Sequence, residues 1–92
     1  MANHNITKLE IGMICIPYAN TMRPEFVDEK YIFLGIEEDP ALINKMKEDG
    51  FDPEICDCYN FYSIKLNSKQ GWYYSFEEYL CKRFKTIIWN NG

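Results

Sequence analysis

The sequence predicts a single small α+β domain that is mainly β. A chain of 92 residues is long enough for one compact core and no more. Its apolar residues fall in short runs that mostly alternate with polar ones, which is the period of a strand. The period becomes helical after Asp39-Pro40 and again, briefly, before the last strand. Aromatic residues make up 16% of the chain and supply the large buried areas that a short chain needs. We expect residues 1–7 and 90–92 to fray.

The first strand is expected over residues 9–18 and the second over residues 30–36. Both faces of the first are apolar, so it should be largely buried, and Pro17 places its far end at a sheet edge. A polar loop, residues 19–29, joins the two strands. The second strand has apolar residues on both faces, with Ile32, Leu34 and Ile36 opposite Tyr31 and Phe33.

A short helix is expected over residues 40–49. Asp39 is a good N-cap, and Pro40 suits the first helical position. Gly50 lies where a left-handed residue ends a helix, and Pro53 prevents continuation.

The third strand, residues 56–66, determines where two cysteines and two aromatic rings point. Side chains two residues apart share a face of a strand, so Cys56 and Cys58 lie on the more apolar face. That pattern predicts buried thiols and leaves Tyr59 and Phe61 on the outward face. The alternative is that the inserted helix covers both rings in a second small core.

Ser75 and Glu78 have the spacing of a capping box and predict that a short helix starts there. The remaining elements follow in the order turn, strand, helix and strand, over residues 67–71, 72–74, 76–82 and 84–89.

Five short strands with a long first loop and a helical turn before the last strand resemble the SH3-like small β-barrel. The resemblance covers about residues 9–89, rests on element order, and makes the helix at 40–49 an insertion. Signalling SH3 domains bind proline-rich peptides through a group of aromatic residues, to which only Tyr18, Trp72 and Tyr79 approximately correspond here. We therefore do not expect this protein to bind such peptides.

The segments KYIFLGI and SFEEYLCKRFKTI, in an Ile/Lys/Asn/Tyr-rich chain, are similar in style to small SH3-like proteins of phages and mobile elements. We expect a cytoplasmic protein, in the host cytoplasm if it is phage-encoded, from two observations. No apolar run is long enough to span a membrane, and the first residues do not have the pattern of a signal peptide.

The net charge of −4 is unevenly distributed. Residues 25–57 carry eleven acids and three lysines, whereas residues 58–92 carry five bases and two acids. Direct binding to nucleic acid is disfavoured, because a phosphate backbone requires a cationic surface. An acidic middle segment instead fits a protein partner with a basic surface, or simply keeps the protein soluble.

The residues that carry chemistry do not form a catalytic or metal-binding pattern. The chain has four cysteines and one histidine, and a lone Cys-x-Cys at 56–58 is a weak metal signal. We therefore expect no metal, no cofactor and no enzymatic activity, with the cysteines acting as inert thiols.

Two functions remain open. The first is a small acidic interaction protein, an inhibitor encoded by a phage or mobile element, that docks on a host or defence protein and mimics nucleic acid. Its expected partner-binding residues are an acidic cluster and nearby aromatic rings: Glu37, Glu38, Asp39, Tyr59, Phe61 and Trp72. The same acidic cluster also suits the start of a helix. The alternative is a protein that binds or sequesters a nucleotide, with Arg23, Lys82 or Arg83 as its cations. Either function is compatible with a homo-oligomer.

Overall fold

The computed structural model describes residues 4–18 and 29–89. Its five strands form one antiparallel sheet with the order β4-β3-β2-β1-β5. The elements along the chain are β1 (Met13–Pro17), β2 (Tyr31–Ile36), α1 (Pro40–Glu48), β3 (Asp57–Ser63), β4 (Ser68–Tyr74), α2 (Glu77–Cys81) and β5 (Phe84–Trp89). The predicted order of elements and the mainly β class are confirmed.

The sheet curls strongly but is not a closed barrel. The rings of Trp72 on β4 and Phe84 on β5 stack with centroids 5.5 Å apart, although β4 and β5 are the two edge strands. Within the described residues no hydrogen-bonded ladder joins these edges. Side-chain packing, rather than backbone pairing, therefore brings the two ends of the sheet together.

The concave face of the sheet holds the hydrophobic core. Its centre is a group of aromatic rings, with Phe61 in ring contact with Tyr31, Phe33, Trp72 and Phe84. The core cluster comprises Leu9, Met13, Cys15, Tyr31, Phe33, Tyr59, Phe61, Leu80, Cys81, Phe84 and Ile87. Leu80 and Cys81 belong to α2, so this helix is part of the core.

The N-terminal segment before β1 also packs on the core. The first strand is shorter than predicted, because a turn in which Met13 N–H donates to the Glu10 carbonyl precedes it. Ile6 packs against the core, and a ring nitrogen of His4 lies 3.0 Å from the carbonyl oxygen of Phe84. Of residues 1–7 and 90–92, which we expect to fray, residues 1–3 and 90–92 lie outside the described residues, as do residues 19–28 of the polar loop expected over 19–29.

The predicted orientation of the third strand is wrong. Tyr59 and Phe61 are 2% and 0% exposed, and Ser63 on the same face is also buried. Cys56 and Cys58, expected inside, are only half-buried. The alternative interpretation also fails, because the core that covers the two rings contains residues of α2 and none of α1.

Helix α1 begins at the predicted residue and ends one residue earlier than predicted, with the expected residues at both caps. The Asp39 carboxylate accepts the N–H of Ala41 at 3.0 Å, which makes Asp39 the N-cap. At the other end Gly50 has a φ of +96°, and Phe51 N–H donates to the Met46 carbonyl at 3.1 Å. This is a Schellman ending, which requires a residue that tolerates positive φ.

Helix α2 starts without the predicted capping box. Its N-cap is Phe76, and no side chain caps the helix. The Ser75 hydroxyl instead lies 3.3 Å from the Cys56 thiol. None of the helices in the described part of the chain has the length and apolar character needed to cross a membrane.

Candidate protein-docking surface

The aromatic rings predicted to bind a partner are part of the core. Burial is the main reason that the pKa of Tyr59 rises to about 12, with smaller contributions from Glu77 and Asp57. Trp72 is half-buried, and its ring centroid lies 4.8 Å from that of Phe61. In this fold Tyr59 and Phe61 cannot reach a partner without opening the sheet.

Glu37 ties three parts of the fold together. Its side chain is only 10% exposed. One carboxylate oxygen accepts the Asn60 amide at 3.1 Å and the Lys69 ammonium at 3.2 Å, and the other accepts Asp39 N–H at 3.2 Å. These contacts hold the pKa of Glu37 below its usual value, with the Asp39 hydrogen bond as the largest cause. Glu37 is therefore a structural carboxylate, whereas its neighbours Glu38 and Asp39 are exposed.

The cysteines do not converge on a metal-binding arrangement. Cys15 and Cys81 are fully buried, and burial raises the pKa of these thiols to about 12 and about 11. Cys58 points its sulfur at the Asn60 side-chain oxygen, 3.7 Å away, and burial raises its pKa as well. Among residues 4–18 and 29–89 no three His, Cys, Asp or Glu side chains are grouped as metal ligands. That the protein binds no metal stays a prediction, to be checked by elemental analysis.

The exposed acids gather around α1 and the loop that follows it. Residues 38–57 contain seven exposed carboxylates and two lysines, Lys45 and Lys47. The net charge of this segment is therefore −5. The acids are Glu38, Asp39, Glu48, Asp49, Asp52, Glu54 and Asp57. Three exposed apolar side chains lie among them in the sequence: Leu42, Phe51 and Ile55, at 41%, 41% and 65% exposure. We call these ten residues the α1 surface.

The location of the α1 surface follows from how the residues just after α1 pack on β4. Tyr73 alternates with the inward-facing Trp72 and Tyr74, so it lies on the opposite face of the sheet. There its ring contacts Phe51 at 4.7 Å, and its hydroxyl donates to the Asp49 carboxylate at 3.4 Å. The inserted helix is thus held on the outer side of the sheet, which leaves its acids in solvent.

The described cations differ in whether they are paired, which bears on the alternative of a nucleotide site. Lys65 pairs with Glu29 at 2.9 Å, Lys69 pairs with Glu37, and the Lys82 ammonium lies 5.4 Å from the ring centroid of Tyr79. Arg23 lies outside the described residues. Of the cations named for that function, Lys82 and Arg83 are exposed on the α2 side of the molecule.

The sequence predicted the acids of the α1 surface but not its apolar members. Phe51 and Ile55 follow the helix in a segment without a clear period, so no pattern marked them as exposed. Pro53 could have predicted their exposure, because a proline there prevents the helix from continuing and favours a loop at the surface. Comparisons with protein-family models, curated proteins and solved structures found no match to this chain.

Proposed function

We propose that this protein is a small acidic interaction protein that docks through its α1 surface on a partner with a basic surface. The observation that carries the proposal is the combination of seven exposed carboxylates with three exposed apolar side chains on one segment. Charges at the rim of an interface accelerate encounter, whereas buried apolar side chains slow dissociation. An acidic face meant only for solubility has no need of Ile55, which is 65% exposed.

The proposal extends to an inhibitor that occupies a basic cleft in place of nucleic acid. Support for this comes from the local net charge of −5, carried by carboxylates at the two ends of a short helix and in the segment that follows it. A cleft that binds phosphates presents Lys and Arg side chains, and carboxylates offer them a similar partner. The similarity in style to phage and mobile-element proteins supports the host cytoplasm as the place where such an inhibitor would act.

An SH3-like architecture left open between β4 and β5 is also part of the proposal. The strand order β4-β3-β2-β1-β5, the short helix before the last strand and the strong curl of the sheet support it. In this architecture α1 is an insertion between the second and third strands, and the docking function belongs to the insertion.

The experiment compares what the wild type and a charge-reversed variant capture from a host lysate. The variant is Glu38→Lys with Glu54→Lys, because both positions are exposed, whereas Glu37 holds the fold together. We expect a basic protein to co-purify with the wild type and to be lost with the variant. A control variant, Glu10→Lys, changes an exposed acid outside the α1 surface and should retain the partner. Equal capture by all three proteins would show that the α1 surface does not dock.

A further inference from the structure

Three exposed apolar side chains from two different segments lie at one end of the sheet. Ile55 comes from the loop after α1, and Phe76 and Tyr79 come from the start of α2, at 65%, 58% and 52% exposure. We call them the apolar strip. Large apolar side chains that are exposed together mark a site of interaction more often than those exposed singly.

Contacts between neighbouring residues bring the two halves of the strip together. The thiol of Cys56, which follows Ile55, lies 3.3 Å from the hydroxyl of Ser75, which precedes Phe76. Within the second half the rings of Phe76 and Tyr79 meet edge to face, with centroids 5.4 Å apart. Segments 55–56 and 75–79 therefore share one surface.

The charges around the strip favour a cationic occupant. Four exposed acids lie within or directly beside its two segments in the sequence: Asp52, Glu54, Asp57 and Glu78. The exposed cations there are Lys82 and Arg83, so these residues carry a net charge of −2. The Lys82 ammonium already lies over the Tyr79 ring, 5.4 Å from its centroid, in a cation–π contact.

We propose that the apolar strip receives a basic amphipathic segment of the partner protein. Apolar side chains of that segment pack on Phe76 and Ile55, and its Lys or Arg side chains pair with the surrounding acids. An amphipathic helix suits a narrow strip, because its anchors recur every three or four residues on one side. The inference rests on the proposed docking function and adds the chemistry of the part that docks.

The test uses two synthetic peptides of leucine and lysine with identical composition. Both have about 18 residues, which is five helical turns. In one peptide the leucines are spaced so that they form one apolar face of the helix, and in the other they are spread around it. We expect the amphipathic peptide to bind at least about tenfold more tightly, a difference of about 1.4 kcal/mol. The variant Ile55→Ser with Phe76→Ser should lose about that factor for the amphipathic peptide alone.

Ile88→Ser is the matched control, because Ile88 is a 49% exposed apolar residue on β5, outside the strip. This variant should bind both peptides as the wild type does, with folding of every variant checked by circular dichroism. Equal binding of the two peptides would overturn the inference while leaving charge-driven docking intact. Failure of both peptides to bind at low salt would contradict the proposed function as well. A wild-type dimer in sedimentation that the strip variant dissociates would make a second copy the occupant and would also overturn it.

Discussion

Replacing Phe61 by alanine tests the orientation of β3. Phe61 is fully buried and its ring contacts four other aromatic rings, so its loss leaves a cavity in the centre of the core. Substitutions of this kind cost about 3–5 kcal/mol. A domain of this size has a free energy of unfolding of about 5–14 kcal/mol, so at least about a fifth of it would be lost.

The assay is urea denaturation of Phe61→Ala beside Phe76→Ala, followed by tryptophan fluorescence. With an m-value of about 1.5 kcal/mol per M, the midpoint of Phe61→Ala should fall by about 2–3 M. Phe76 is 58% exposed, so its truncation should change the free energy of unfolding by no more than about 0.5 kcal/mol. If Phe61→Ala leaves no cooperative transition, Phe61→Leu, which retains most of the volume, should show a smaller loss. Equal midpoints for Phe61→Ala and Phe76→Ala would refute the assignment of Phe61 to the core.

Gly71→Ala should destabilise the protein by about 1–3 kcal/mol, because the new Cβ would lie 2.9 Å from the Cys58 sulfur. Adding Cys58→Ala removes that sulfur, so the double variant should lose less free energy of unfolding than the two single variants together. Strictly additive losses in a double-mutant cycle would contradict the clash. Asp39→Ala should cost about 1 kcal/mol as the loss of an N-cap, whereas Ser75→Ala, with no cap to lose, should stay within about 0.5 kcal/mol; the reverse ranking in chemical denaturation would mean that the helix starts are misassigned. Glu37 has its pKa lowered from 4.5 in the folded protein, so its contribution to stability is present above that pH and is lost as the pH falls. Glu37→Gln should therefore flatten the fall in stability between about pH 5 and pH 3, and an unchanged acid limb would contradict the structural role of this carboxylate.

The order of elements was predictable because each boundary has a local chemical cause. Asp39-Pro40 starts α1 and Gly50 ends it through contacts within a few residues. The alternation of apolar and polar residues identified the strands, because it too depends only on residues close together in the sequence. Local signals of this kind do not depend on what the strand later packs against.

The face of β3 that is buried was not predictable, because both faces contain apolar residues. Ile64 and Leu66 made the even-numbered face look more apolar, but β3 ends at Ser63 and both residues lie in the following turn at 48% and 45% exposure. The preference for one face therefore came from residues outside the strand. Asn60 lies on the even-numbered face, and its polar side chain argued against burying that face in the core. In the structure the Asn60 amide donates to the Glu37 carboxylate.

The capping prediction at Ser75 failed for a related reason. The Ser-x-x-Glu spacing is correct, but the Ser75 hydroxyl is directed to Cys56 on the neighbouring segment, and the helix begins one residue later than expected. A tertiary contact thus overrides a local motif. The role of Glu37 also depends on tertiary contacts, because Asn60 and Lys69 reach it only after β3 and β4 have paired.

The central claim is that the exposed carboxylates of the α1 surface guide docking on a basic partner. The most direct measurement is the association rate with the captured partner, as a function of salt, for the wild type, Glu38→Lys with Glu54→Lys, and Glu10→Lys. The wild-type rate should fall as salt rises, because exposed charges are screened beyond about 8 Å at physiological ionic strength. The double reversal should bind slowly at low salt and lose most of this salt dependence, while Glu10→Lys follows the wild type. Association rates that are indifferent to salt and equal in all three proteins would contradict the claim and leave the α1 surface as a solubilising face.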